Sequence, residues 1–333
     1  MIDINDSRIK FALNAVRSAA CLAGDIQREM VPKAITKDDR SPVTVADFAA
    51  QAVVGYLLEQ SFPGSLLVGE EAAAVLRSPT ERDNLEQITG FVNRVIPRVA
   101  AEQVCDLIDQ GMDEPGQNYW TLDPIDGTKG FLRGAQYAAA LAYVENGVVQ
   151  LGVLGCPNML PDLREEIGGS GSLAVAKRGQ GSWITTLRDQ PTRDKFSALA
   201  VSTRSNPEEA RLMRSFESGH TNTSQIDDFQ STLGGKVDPV RMDSQVKYVL
   251  LASGEAEIYL RLLSPDRTDY REKIWDQAAG SIIVEEAGGM VTDLDGKVLD
   301  FSQGRTLKMN RGICASNGFV HEKALVALKE VKA

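Results

Sequence analysis

The stretch Asn118–Phe131, NYWTLDPIDGTKGF, decides how the rest of the chain is read. Its run ending in Trp120, Thr121 and Leu122 predicts a buried strand that stops at Asp123, with a second carboxylate, Asp126, three residues on. Two negative charges at the end of an apolar strand repel each other, and a turn needs only one of them. Taken alone, Asp123-Pro124-Ile125-Asp126-Gly127 is a type I turn signal, Asp first and Pro second. Pro124 disfavours the helical region for Asp123, so the expectation is a loop. A strand leading into that loop places the acids where open α/β sheets collect their sites.

Working outward, the chain supplies acids in three more such places. The segment SLLVGEE (65–71) predicts a short buried strand ending in Glu70 and Glu71. Asp47 follows Thr44 at the spacing of a capping box, although Asp reaches back less well than Glu. Asp276, in KIWDQAAG, is expected in the first turn of a helix, where an acid meets the favourable end of the dipole. Each has an ordinary structural explanation by itself. Brought together they would repel strongly unless a cation lay between them. A hard divalent ion turns such a set into the oxygen cage that magnesium takes, a few carboxylates plus waters and substrate phosphate. In that arrangement Asp123 bridges two ions, while Asp126 and the carbonyl of Ile125 each serve one.

Composition narrows the alternatives. With 333 residues, 43% of them hydrophobic, the chain can bury one large or two fused cores. No window approaches 18 apolar residues, so no membrane span is expected. The acidic, polar start MIDINDSRIKF does not suit a secretory or transit signal. Cys21, Cys105, Cys156 and Cys314 form no Cys-x-x-Cys, so a reduced, cytoplasmic state is the expectation. Two histidines, His220 and His321, are too few for chemistry built on several imidazoles. The net charge of −10 argues against nucleic acid as a partner, which calls for a basic surface.

Helical spacing over residues 7 to 30 and again from Thr44 to Gln60 predicts two amphipathic helices, the second turning Ala49, Val53, Tyr56 and Leu57 inward. Residues 72–117 are polar and helix-like without a strong pattern, and are expected to be a variable insertion. Alternation around Asn146-Gly147 predicts a hairpin, and SLAVAKRGQGSWI another. The last third alternates helix and strand, from PEEARLMRSFES through SQVKYVLLASG and AEIYLRL to ICASN and a terminal helix. The expected architecture is layered α/β with a cleft between two subdomains. Residues 1–196 would carry most of the clustered acids, and residues 197–333 would carry Asp276.

DPIDGT, with VGEE upstream and WDQAAGSIIVEEAGG downstream, resembles the magnesium-dependent, lithium-sensitive phosphatases of the inositol monophosphatase and fructose-1,6-bisphosphatase superfamily. Within it the segments SPVTVADFAAQ, DPIDGTKGFLRG, RMDSQVKY, IYLRL and YREKIWDQAAG resemble the 3′(2′),5′-bisphosphate nucleotidases most. The resemblance runs over nearly the whole chain and implies an α/β/α/β/α sandwich. It implies that Glu70, Asp123, Asp126, Asp276 and the Ile125 carbonyl hold two or three magnesium ions. Asp47 and Thr128 would orient the attacking water, together with Glu70. His220, Ser244, Lys247 and Arg261 match positions that contact the nucleotide in that family. Two departures are visible: Ala72 where Ser or Asp is common, and Gln277 where His is common.

What the resemblance implies, then, is hydrolysis of the 3′-phosphate of adenosine 3′,5′-bisphosphate to AMP, with phosphoadenosine phosphosulfate as a further candidate substrate. The partner is a small nucleotide, with no nucleic acid or membrane, and a monomer is the expectation. Two alternatives stand beside it: an inositol polyphosphate 1-phosphatase, and a weakly active protein that senses adenosine bisphosphate.

Overall fold

The computed structural model describes residues 2–29, 35–36, 42–43, 45–216, 223–264, 267 and 269–333. The first predicted helix is α1 (Ser7–Glu29), burying Ile9, Leu13, Val16, Ala20, Ala23 and Ile26. Two-residue strands β1 (Ile35–Thr36) and β2 (Pro42–Val43) pair antiparallel ahead of α2 (Val45–Ser61). On α2, Ala49 and Val53 are buried as expected, but Tyr56 and Leu57 are only half-buried and Leu58 lies inside. This helix is enclosed on several sides, so its inward face is wider than one stripe. Thr44, the expected cap, lies outside the described residues.

After β3 (Leu67–Gly69), the region read as helix-like, 72–117, does form helices. It holds α3 (Arg82–Val92) and α4 (Ala101–Asp109). Leu76, Ile88, Phe91, Val104 and Ile108 pack into one buried cluster with Phe48, Ala49 and Val53 of α2. The helical spacing is broken into pieces of a few turns, too short to show as one periodic run.

β4 (Asn118–Asp126) corrects the loop expected at DPIDG: the strand runs through it. Its pairing with the next strand shifts between Asp123 and Asp126, and Pro124 sits at that irregularity. A bulge is where a strand accepts a residue with no N–H to give the ladder. Trp120 and Leu122 join the cluster that packs on α1 and α2, Trp120 meeting the ring of Phe11 edge-on at 4.8 Å. Burial of a side chain of this kind stabilises by about 2–3 kcal/mol.

The short α5 (Thr128–Leu132) follows, then the predicted hairpins β5 (Ala138–Glu145) with β6 (Val148–Cys156), and β7 (Ser172–Lys177) with β8 (Gly181–Thr186). Asn146 and Gly147 have φ of 53° and 75°, as a type I′ turn demands. The sheet closes with β9 (Ser197–Leu199), giving the order β3-β4-β5-β6-β7-β8-β9, antiparallel except for β3 beside β4.

Within PEEARLMRSFES the structure has β10 (Leu212–Arg214), not a helix. Leu212 and Met213 fall into different buried clusters, one on each side of the backbone, which is strand alternation. Then come α6 (Thr223–Thr232), β11 (Val240–Arg241), α7 (Val246–Ala252), β12 (Ile258–Arg261), α8 (Ala278–Glu286), β13 (Met290–Thr292), β14 (Ile313–Ser316) and α9 (His321–Glu330). The second sheet has the order β11-β10-β12-β14-β13.

One cluster joins β4–β7, α7, α8, β12, β13 and β14, so α7 and α8 lie between the two sheets. α1 and α2 cover the outer face of the first sheet, and α6 and α9 that of the second. The layers are α/β/α/β/α, as expected.

Candidate active site

The bulged end of β4, the end of β3, the start of α7 and the segment before α8 meet at one cleft of about 260 Å³. It is lined by Glu70, Asp123, Ile125, Asp126, Thr128 and Asp276 together with Ser244, Lys247 and Arg261. Nine of the predicted residues thus converge from distant parts of the sequence. Asp47, only 1% exposed in α2, is not among the lining side chains but bears electrostatically on Asp123. His220 lies outside the described residues. His321 is buried between Ser316 and Thr292, away from the cleft and part of the core.

Local backbone sets this geometry. Gly127 has φ of 90°, and a Cβ there would come within 2.8 Å of the Ser244 Cβ. Only glycine allows both the left-handed turn and the close approach of α7 to the end of β4. Ser244 itself has φ of 62°, a conformation that costs a non-glycine residue about 1–3 kcal/mol. The Thr128 hydroxyl donates to the carbonyl of Ile125 at 3.2 Å. The Gln245 N–H donates to Asp126, its side-chain amide donates to the Trp275 carbonyl at 3.0 Å, and its amide oxygen accepts from Gly280 at 3.1 Å. Gln245 therefore holds the starts of α7 and α8 against β4. Asp276 precedes α8 rather than lying in its first turn.

The acids raise one another's pKa. Burial pushes Asp123 well above the usual carboxylate range, and Glu70, Asp126, Asp276 and Asp47 push it further. Asp126 is pushed up to about 6 by burial, against the pull of Lys247, the Gln245 N–H and Arg261. Asp276 is likewise raised, by burial and by Asp126, with Arg261 opposing.

The cations of the cleft are held by side chains that sequence reasoning missed. Arg261 pairs with buried Glu272, Nη2 to Oε2 at 2.9 Å and Nε to Oε1 at 3.3 Å. Gln277 donates to the same carboxylate at 2.8 Å and accepts from the Tyr248 hydroxyl, so this departure from the family pattern is a brace under Arg261. Lys247, 4% exposed, donates to the Ser215 hydroxyl at 2.8 Å and lies 4.7 Å from the centre of the Tyr259 ring. Burial and neighbouring Arg261 pull its pKa down to about 8. Asp243 accepts from Arg133 at 2.6 Å and from the Phe216 N–H at 3.0 Å, fixing the rim beside Ser215. The signal for Glu272 is in plain view, an acid four residues before Asp276 in YREKIWDQ. Nothing in a linear sequence says that its partner is Arg261.

Among the described residues, no three Asp, Glu, His or Cys side chains are already grouped to hold a metal ion. The donor set nevertheless fits a hard cation. Every candidate ligand is an oxygen, and the Asp123 Oδ1 is buried with no hydrogen-bond partner among the described residues. A buried carboxylate oxygen without a donor is costly unless a cation meets it. Magnesium, which takes few carboxylates and keeps its waters, is the ion such a wide set suits.

The sequence pattern of the inositol monophosphatase family matches residues 5–333. The chain belongs to that family, whose members are generally magnesium-dependent. It is 39% identical to a 3′(2′),5′-bisphosphate nucleotidase of Schizosaccharomyces pombe, covering 98% of this chain and 96% of the relative. It is 41% identical to a 3′(2′),5′-bisphosphate nucleotidase of Oryza sativa, covering 96% and 92%. Among solved structures, an IMPase of Thermotoga maritima superposes with a TM-score of 0.67 at 22% identity, covering 98% of both chains, a likeness of fold alone.

Proposed function

We propose that this chain is a magnesium-dependent phosphomonoesterase that hydrolyses the 3′-phosphate of adenosine 3′,5′-bisphosphate to AMP and phosphate. The observation that carries the reading is one cleft that gathers four carboxylates together with Lys247 and Arg261. Four carboxylates there suit ions that meet a phosphate, while Lys247 and Arg261 suit the anionic part of a substrate that does not react. The full-length similarity to relatives named 3′(2′),5′-bisphosphate nucleotidase supports the same substrate.

Glu70, Asp123, Asp126, Asp276 and the Ile125 carbonyl would hold two or three magnesium ions, which supply a nucleophile at neutral pH and charge stabilisation for an in-line displacement. The chain's own groups do the rest. Thr128, its hydroxyl hydrogen committed to Ile125, presents an oxygen that accepts a hydrogen bond from the attacking water. Glu70 orients that water and takes up its proton, and Asp47, behind the cleft lining, supports that arrangement through its charge. The water's oxygen bonds to phosphorus as the bond to the ribose 3′-oxygen breaks, and the ribose oxygen takes up a proton from solvent to become the 3′-hydroxyl of AMP. Lys247, Arg261, Ser244 and His220 grip the adenosine and its 5′-phosphate. Phosphoadenosine phosphosulfate, which shares the 3′-phosphate, is the further substrate. The enzyme acts as a cytoplasmic monomer.

The test is phosphate release from adenosine 3′,5′-bisphosphate, phosphoadenosine phosphosulfate and inositol 1,4-bisphosphate, with magnesium, with chelator and with added lithium. Preference for the nucleotide, dependence on magnesium and inhibition by lithium are expected. Full activity in chelator overturns the metal reading. Preference for the inositol phosphate overturns the substrate.

A further inference from the structure

Arg305 lies between β13 and β14 and has no part in the roles assigned above. Its guanidinium donates to three main-chain carbonyls: Nη2 to Gly69, and Nη1 to Gly111 at 3.2 Å and Asp113 at 2.9 Å. Gly69 ends β3, and Glu70 is the next residue. The same guanidinium stacks over the Trp275 ring, 5.0 Å from its centre, and Asp276 follows Trp275. The main chain around Arg305 is joined to that second segment as well. The Ile274 N–H donates to the Arg305 carbonyl at 3.3 Å, and the Leu307 N–H to the Glu272 carbonyl at 2.8 Å. Lys273 and Thr306 form a bridge between them.

One planar cation therefore touches the neighbours of two carboxylates from distant segments, one just after β3 and one just before α8. A guanidinium suits this task because its rigid fork reaches several acceptors at once while its face stacks on an aromatic ring. An ammonium offers neither the fork nor the face. Gln51 pins the other flank of Glu70, accepting from the Glu71 N–H at 3.0 Å and donating to the Glu71 carbonyl at 2.7 Å. Glu70 is thus gripped on both sides, and the Arg305 side connects it to Asp276.

We propose that Arg305 is a positioning residue that sets the spacing of Glu70 and Asp276, and through it the magnesium affinity of the cleft. The inference rests on the magnesium-dependent reading above. It makes Arg305 important for binding the ion and unimportant for binding the nucleotide, which separates it from Arg261.

The experiment is calorimetric titration of magnesium into the full chain, as wild type, Arg305→Met and Arg305→Lys, with melting temperatures and circular dichroism taken metal-free. Arg305→Met should weaken magnesium binding by about 10- to 100-fold, the usual effect of removing a group that orients metal ligands. Arg305→Lys should weaken it less. At saturating magnesium the KM for adenosine bisphosphate should stay within roughly two-fold, because the contact is not with substrate. If the Met variant does not fold, the Lys variant decides: a weaker isotherm supports the proposal and an unchanged one overturns it. Magnesium affinity equal to wild type in folded variants, with only a lower melting temperature, means a plain structural tie and overturns the proposal alone. Wild type that binds no magnesium overturns the function proposed above, and this proposal with it.

Discussion

In the cleft Glu70, Asp123, Asp126 and Asp276 gather like charge, and three of them have their protons held more tightly than usual. Among the basic groups Arg261 rests on Glu272, and Lys247 on Ser215 and the Tyr259 ring. Both cations rest on partners within the fold, and among the acids Asp126 accepts from the Gln245 N–H, but the Asp123 Oδ1 is buried without a donor among the described residues. Side chains arranged for stability alone would not leave that oxygen unmet. On the function proposed above, the difference means that the acids await cations and the basic groups await an anion.

The largest effect should come from removing charge among the acids. Asp123→Asn should lower kcat by about 10³-fold, the upper end for one preorganised electrostatic contact. It should also leave metal-free stability equal or higher, since a repelled, buried charge is gone. Near-normal turnover in steady-state assays would return the DPIDG stretch to a purely structural part.

Asp47→Ala should cost about 10²-fold in kcat, the lower range for a positioned proton transfer, with nucleotide KM little changed. A loss of only about 1 kcal/mol in stability with full turnover would make Asp47 a helix-end acid instead.

The basic groups should respond through affinity. Arg261→Ala should lower kcat/KM for adenosine bisphosphate by roughly 10- to 100-fold, the worth of a charged hydrogen bond. Small inositol phosphates should lose much less. Because this change strands buried Glu272, the double variant with Glu272→Gln should recover stability but not affinity. Equal losses for both substrates would erase the distinction between reacting and non-reacting phosphate.

Lys247, with its pKa near 8, should be charged at pH 7 and mostly neutral at pH 9. The kcat/KM for the nucleotide should then fall by up to about ten-fold over that range, reporting the free enzyme's titration. A flat profile in wild type would remove Lys247 from substrate binding.

The smallest effect is on stability. Asp123, Asp126 and Asp276 bind protons more tightly folded than unfolded, so the folded state is favoured at low pH. That advantage is lost as pH rises from 3.8, the ordinary carboxylate value, through about 6, where Asp126 titrates. Magnesium should therefore raise the melting temperature by a few degrees, and by more at pH 7.5 than at pH 5. An equal gain at both pH values would show that the ion does not meet this cluster.

Local physics makes much of this molecule legible in its sequence. Asn146-Gly147 can serve few turns, α1 shows its apolar stripe over six turns, and VGEE and DPIDG each end an apolar run with paired acids. Four carboxylate-bearing segments and their likeness to a phosphatase family can be read residue by residue. What only the tertiary structure decided depends on contacts far apart in sequence. Asp123–Asp126 is bulged strand because β5 pairs through it. Residues 72–117 send a buried stripe, Leu76, Ile88, Phe91, Val104 and Ile108 among it, into the core because α2 offers them a second buried face. Glu272 under Arg261, Gln277 under Glu272, and Arg305 reaching Gly69 follow from side-chain geometry between sheets. A sequence records which groups can donate and accept. It does not record which of them meet, because that pairing is chosen by packing once the layers have closed.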